Sequence, residues 1–359
     1  MYKTDNWEIL VPRISAHPRT YDRSHIEVCE GDPITFTEEN AAVRMEIEKR
    51  KFNRAVQRGK VEGWNEAVEA MKFRYIDSAD DIESLRKSND NFSPGPQWRL
   101  GNYSFKFDGI LSLDLSTLTD YGEFLATNVA AGIDPEYREF LLSAGRDAGD
   151  EDAFFANILA VCGAIETRDS LLAVGLRGDN LAEYKRCYHV VSGGHPKAGR
   201  YHPFTDRPKD PFDALAVQIQ EEAGTPENKI SDIRVTGLVR NLQTRKPELC
   251  FYVKVDEDFA QLEDFRRRDP KKEEHLKIFG IRKEDLAGFL RQTQDPSPEG
   301  FVFPPGYSFT GLEVAAFRPK DIPENTSNRW VPPGEACMFL AAMHNGIDAE
   351  RELPYIQRI

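Results

Sequence analysis

The segment DPFDALAVQIQEEAG, residues 210–224, constrains the chain most, because local chemistry fixes both of its ends. Asp210 predicts an N-cap: its carboxylate can accept from backbone N–H groups that lack a partner inside the helix. Pro211 suits the first helical position, where no N–H is needed, and Asp213 places an acid at the positive end of the helix dipole. Gly224 can take the left-handed conformation that ends a helix, and Pro226 prevents continuation. Phe212, Leu215, Ile219 and Ala223 repeat at helical spacing and predict a buried face. Gln218, Glu221 and Glu222 stand at i, i+3 and i+4 on another. Adjacent glutamates at the carbonyl end of a helix oppose its dipole, and a hard divalent cation such as Mg²⁺ would relieve that. A solvated acidic face is the plainer reading of the same residues.

Around this helix the second half of the chain has a clear rhythm. NILAVCGAIET and SLLAVGLRG are apolar strands flanking the turn at Arg168–Asp169, a predicted hairpin. CYHVVSGG is a strand running into Gly193 and Gly194. An irregular loop over residues 195–209 precedes the helix. IRVTGLVRNLQ and ELCFYVKVD follow as strands, then HLKIFGI as a strand and KEDLAGFLRQ as a helix. The mixture predicts an α+β sandwich.

The first half is less explicit. It offers a short strand near Trp7–Val11 and a charged helix over about residues 38–60. A second helix has Trp64, Ala67, Val68 and Met71 on one face, and KSNDNFSPGPQW reads as a loop. Two short strands are expected within NYSFKFDGILSLDLSTLTDYGEFLATN, and a helix around residues 134–146. These signals divide the chain into an N-terminal α+β region (1–150), a central domain (151–325) and a C-terminal extension (326–359).

Charge and cysteine usage remove several function classes. A formal net charge of −13 over 359 residues argues against general binding to nucleic acid or to an anionic membrane, because the surface on average repels phosphate. A small phosphorylated ligand needs only a few local cations and stays open. The five cysteines are odd in number and form no C-x-x-C, which points to a reduced, cytoplasmic setting. No apolar run is long enough for a signal peptide or a bilayer span. P-loop, G-x-G-x-x-G and nucleophile-elbow patterns are absent.

The order strand, glycine pair, loop, helix, E-E-x-G, strand resembles the Nudix family, whose motif is G-x5-E-x7-R-E-U-x-E-E-x-G-U, with U aliphatic. Ile219, Glu221, Glu222 and Gly224 match it, Gly193 and Gly194 resemble its opening glycines, and the hairpin before YHVVSGGH resembles the family's approach to the motif. The resemblance covers roughly half the chain. It implies a Nudix-type α/β/α sandwich with a mixed sheet, Mg²⁺ or Mn²⁺ held by Glu221 and Glu222, and hydrolysis of a diphosphate in a nucleoside diphosphate derivative. A further acid from a later loop is expected in this family, and Glu273 or Glu274 would supply it as ligand or general base. Gly193, Gly194 and His195, with Arg200 and Arg207 of the loop, are the candidate substrate-binding residues. A nucleotide-like or other diphosphate small molecule is the expected partner, and a homo-oligomer is compatible with the sequence.

The departures are specific. Val217 stands where the family has Arg, Gln218 where it has Glu, and Lys209 where it has the earlier Glu. Gln218 keeps an oxygen but loses the charge. The motif is therefore degenerate, which favours either a weakened hydrolase or a non-catalytic module binding a nucleotide-like ligand or a protein. A scaffold without a ligand is a third class. His195–Pro196 resembles a stretch of the isopentenyl-diphosphate isomerases, but the cysteine that chemistry needs is absent, Gly193 standing in its place. Cys187 and His189 are expected to be packed, and Arg266–Arg268 to be solvated.

Overall fold

Strand β8 (Ala160–Glu166) shows how the chain builds its core. Its residues are all buried, and they alternate between two hydrophobic clusters: Cys162 and Ala164 face one, Val161 and Ile165 the other. A period of two means that a strand buried on both faces reads as a continuous apolar run, which is why AVCGAIE carries no polar alternation. Strands β9 (Leu171–Arg177) and β13 (Pro247–Val255) behave the same way. The computed structural model describes residues 2–10, 22–29, 43, 46, 47, 50, 97–105, 110–115, 117–119, 121–178, 184, 187–195, 210–268, 274–294 and 330–358.

The remaining strands are β1 (Tyr2–Lys3), β2 (Trp7–Ile9), β3 (Ile26–Cys29), β4 (Gln97–Arg99), β5 (Asn102–Phe105), β6 (Leu111–Asp114) and β7 (Thr117–Thr119) in the first half. In the second half they are β10 (Tyr188–Val190), β11 (Ser192–Gly194), β12 (Ile230–Asn241), β14 (His275–Arg282) and β15 (Gln357–Arg358). The principal sheet is ordered β10-β9-β8-β13-β12-β2-β1-β15, with β11 pairing β8 and β14 pairing β9. It is mixed: β13 runs parallel to β8, with Leu249 opposite Val161, while β12 and β13 are antiparallel.

Among the described residues the five longer helices are α1 (Pro135–Asp147), α2 (Pro211–Gln218), α3 (Phe259–Arg268), α4 (Leu286–Gln294) and α5 (Pro332–His344). Phe212, Leu215 and Ile219, from α2 and the turn that follows it, bury against Phe251, Val253 and Ile165 on one face of the sheet. Ala336–Met343 of α5 cover the other face with Leu172, Val174 and Tyr252. The protein is thus an α+β fold with a mixed sheet between two helical layers. α5 is buried from Pro332 to Met343, which fits a helix apolar on every side. Its one buried acid, Glu335, accepts a hydrogen bond from Trp7 Nε1 at 3.1 Å.

Strands from all three sequence stretches share the principal sheet: β2 pairs with β12, placing Ile9 opposite Val239, and β1 pairs with β15. Trp98, Leu111 and Leu113 of the first half also join the core under α2. Two small sheets, β3-β6-β5 and β4-β7, stand beside it. NYSFKFDGILSLDLSTLTDYGEFLATN contributes three strands rather than two, and its last third is helical from Tyr121 into a π-helical turn at Leu125–Val129. The Trp64–Met71 stripe lies outside the described residues. Among the described residues no helix is long and apolar enough to cross a membrane.

Candidate functional site

Helix α2 begins as its sequence dictates. Asp210 Oδ1 accepts from the backbone N–H groups of Phe212 and Asp213, each at 2.9 Å, and Pro211 occupies the first turn. Its end differs from a plain α-helix. Residues Ile219–Ala223 form a π-helical turn, closed by Gly224 at φ +74° with the ring of Phe265 packed against it. A π turn is wider than an α turn, so side chains three and four apart no longer share one line. Glu222 therefore turns inward while Glu221 stays exposed. Gln218 and Glu222 converge on the glycine pair, and Glu221 is exposed next to them.

The inward carboxylate meets the glycine pair. Glu222 Oε2 accepts from the Gly193 N–H at 3.0 Å. Gly193 and Gly194 lie in β11, opposite Cys162 and Val161 of β8. The Gln218 side chain lies so close over Gly194 that a Cβ there would collide with its Oε1. Any larger residue at 194 would have to push the Gln218 carboxamide aside.

A second carboxyl arrives from the other side. Glu274 immediately precedes β14, whose antiparallel register on β9 sets His275 opposite Arg177. The Glu274 carboxyl lies within hydrogen-bonding reach of Glu222, and Arg177 Nη1 is 3.4 Å from Glu274 Oε1. Burial pushes the Glu222 carboxyl well above its ordinary range, and the charges of Glu274 and Glu221 add to the effect. The Gly193 N–H and Arg177 oppose it. Glu274 is also raised, by burial, against the pull of Arg177 and of the contact with Glu222. The two acids thus form a pair that holds protons more tightly than free carboxyls, with one cation beside it.

Two histidines line the same strands. His275 Nε2 donates to the Val191 carbonyl at 3.0 Å, which fixes the tautomer, and burial with Arg177 nearby lowers its pKa to about 3. His189 is held well below its usual value, chiefly by burial. Both are neutral at physiological pH. Arg177 Nε is buried without a hydrogen-bond partner among the described residues.

His195 follows Gly194 directly and lies within reach of the Arg177 charge. His195 sits half-buried against the rings of Tyr121 and Phe124, at 5.8 and 5.6 Å between centroids. Arg200, Arg207, Lys209 and Glu273 lie outside the described residues. Cys187 is buried, and burial raises its thiol to about 11. Arg267 and Arg268 pair with Glu263 and Asp264 one turn earlier on α3. Arg177 and His275 stand beside the glutamates without having been expected there, while His189 is packed as expected. Arg177 did carry a signal, being the one charged residue in the apolar strand LLAVGLR. Chemically, two adjacent carboxyls, a glycine N–H and an arginine can hold a hard divalent cation and position an anionic group beside it.

No family model matches the chain. It is 24% identical over 193 residues to Nudix hydrolase 9 of Arabidopsis thaliana, a match that spans 48% of this chain and 60% of that protein. Among solved structures, DR0079 from Deinococcus radiodurans aligns over 37% of this chain and 72% of its own, with a TM-score of 0.26 and 12% identity. The MutT protein from Methanosarcina mazei Go1 aligns over 36% and 80%, also with a TM-score of 0.26, and 19% identity. The chain is thus distantly similar to a Nudix hydrolase over about half its length.

Proposed function

We propose that the chain is a Nudix-type hydrolase that cleaves a diphosphate linkage in a nucleoside diphosphate derivative, with Mg²⁺ or Mn²⁺ as cofactor and the cytoplasm as its setting. The observation that carries this reading is the Glu222–Glu274 pair beside Gly193. The donor set fits a divalent cation, since both groups offer hard oxygens and a cation between them would relieve the mutual repulsion that raises Glu222. Glu222 and Glu274 would hold the ion, with the exposed Glu221 adjacent in the chain. When bound, such an ion neutralises diphosphate charge and lowers the pKa of water.

The protein groups have distinct tasks. The Gly193 N–H fixes one Glu222 oxygen and so sets the direction of its carboxyl. Glu274 is about one-third exposed and can take a proton from water. Arg177 offsets the charge of the pair and its Nε remains available for an oxygen of the substrate. Neutral His275, donating to Val191, holds the start of β14 and hence Glu274 in place.

The test is a product screen over a panel of diphosphate compounds with Mg²⁺ and with Mn²⁺. Turnover is expected, and Glu222→Gln should lower it by about 10²–10⁴-fold, as loss of a positioned acid or base commonly does. A folded protein that turns over no member of the panel would sink the hydrolase. One observation favours a second reading, a ligand-binding module: the neutral Gln218 carboxamide occupies the space over Gly194. Thermal stabilisation by a nucleotide diphosphate without turnover would support that module.

A further inference from the structure

On the face of the sheet away from α2, three cysteines from three elements converge. Cys162 of β8 and Cys250 of β13 are directly opposite in the parallel register, and Cys337 comes from α5 above them. All three are fully buried, and their sulfurs lie within 4.8 Å of one another. The Cys162 and Cys250 sulfurs are 3.7 Å apart, a thiol contact rather than a disulfide. Cys337 Sγ donates to the Phe251 carbonyl at 3.4 Å and approaches the Cys162 carbonyl at 3.7 Å.

We propose that Cys162, Cys250 and Cys337 form a trigonal thiolate site for a soft monovalent cation, Cu(I). Three sulfurs arranged in a plane at about 2.3 Å from a metal stand about 4 Å from each other, close to the spacing already present. The donor set selects the ion. Thiolates favour soft metals, and among the described residues no histidine or carboxylate joins the three sulfurs. Zn²⁺ in a structural site takes four ligands in a tetrahedron, and here a fourth is lacking. The Pro333 carbonyl, 3.9 Å from both Cys162 and Cys250 sulfurs, is too distant to supply it. Three-coordinate Cu(I) needs no fourth ligand.

Charge points the same way. The surroundings are apolar, so a site that left three thiolates uncompensated would be costly. Each thiol that ligates as thiolate gives its proton to water, and a monovalent cation with two thiolates and one thiol leaves a single negative charge. The first turn of α5 lies beside Cys162 and Cys250, with the Pro333 carbonyl facing both sulfurs.

The experiment is an anaerobic titration of the reduced full chain with Cu(I) against a chromogenic Cu(I) chelator, with long equilibration because the site is buried. One Cu(I) per chain is expected, with a thiolate-to-copper ultraviolet band and X-ray absorption showing sulfur neighbours alone. Cys337→Ser should abolish the band, while the double change Cys29→Ser with Cys187→Ser should leave it intact. If Cys337→Ser does not fold, Cys250→Ala is read instead. The proposal is overturned if the wild type competes for no Cu(I), if it takes Zn²⁺ in preference, or if the Cys29/Cys187 variant loses binding.

Discussion

Replacing Glu274 by Gln removes one of two carboxyls that share a buried corner, and should stabilise the metal-free protein at neutral and higher pH. Burial makes both Glu222 and Glu274 hold their protons more tightly, and the charge of Glu274 adds to this for Glu222. Above the ordinary carboxyl value of 4.5, the folded chain retains protons that the unfolded chain has lost. Folding stability therefore falls as pH rises through that window, and the penalty is absent below it. Keeping one carboxyl protonated at pH 7 costs no more than about 3.4 kcal/mol, at about 1.36 kcal/mol per pH unit. The Glu274 side chain is 34% exposed, so solvent screens part of this. We expect a gain of about 1–2 kcal/mol at pH 8 and close to none at pH 4. Gln keeps the volume and an acceptor for Arg177. The assay is urea unfolding followed by tryptophan fluorescence, in chelator, across that pH range. A variant that is less stable than wild type at pH 8, or equally stabilised at both pH values, would refute the paired-carboxyl account. If the pair holds the ion as proposed, adding Mg²⁺ should stabilise the wild type more than the variant.

Other outcomes follow from the same geometry. Phe212→Ala should cost about 3–5 kcal/mol in urea unfolding, because the ring is fully buried and meets Phe251 edge-on at 5.2 Å. Gln218→Glu adds a third carboxyl beside Gly194, and calorimetry should show tighter Mg²⁺ binding, with lower stability in chelator; unchanged affinity would place residue 218 outside the ion's reach. His275, at about 3 when folded against an ordinary 6.5, contributes stability that is lost as pH falls below 6.5. His275→Gln should therefore have a flatter acid limb, by at most about 3 kcal/mol near pH 4, read from the same unfolding series.

The parts of the site set by short-range chemistry were legible in the sequence. The Asp210 cap, the left-handed Gly224 and the hairpin of β8 and β9 each depend on residues a few positions apart. So does the run of β10 and β11 into Gly193. The π turn was not legible, since IQEEA reads equally well as α-helix and its apolar residues Ile219 and Ala223 would be buried in either form. Arg177 reaches the glutamates through the pairing of β14 with β9, a contact across about a hundred residues that no local pattern encodes. The C-terminal helix did carry signs, a Pro-Pro start and an apolar surface all round, but what it covers depends on the whole sheet. In the first half the strand near Trp7 and the helix near Pro135 were legible, but β4, which starts inside the Pro- and Gly-rich stretch read as a loop, was not, and which core these elements join is a long-range matter.

The pairing of Tyr2 with Arg358 and Lys3 with Gln357 places the two ends of the described chain side by side at one border of the sheet. Under mechanical load applied at those ends in opposite directions, β1 and β15 would separate one hydrogen bond at a time, as a zipper opens, so the first yield should come at low force. The same adjacency suits a circularly permuted version, in which a short linker joins residue 358 to residue 2 and new ends are cut at an exposed turn elsewhere. Such a permutant would turn the weakest point of the pulling geometry into a continuous stretch of backbone.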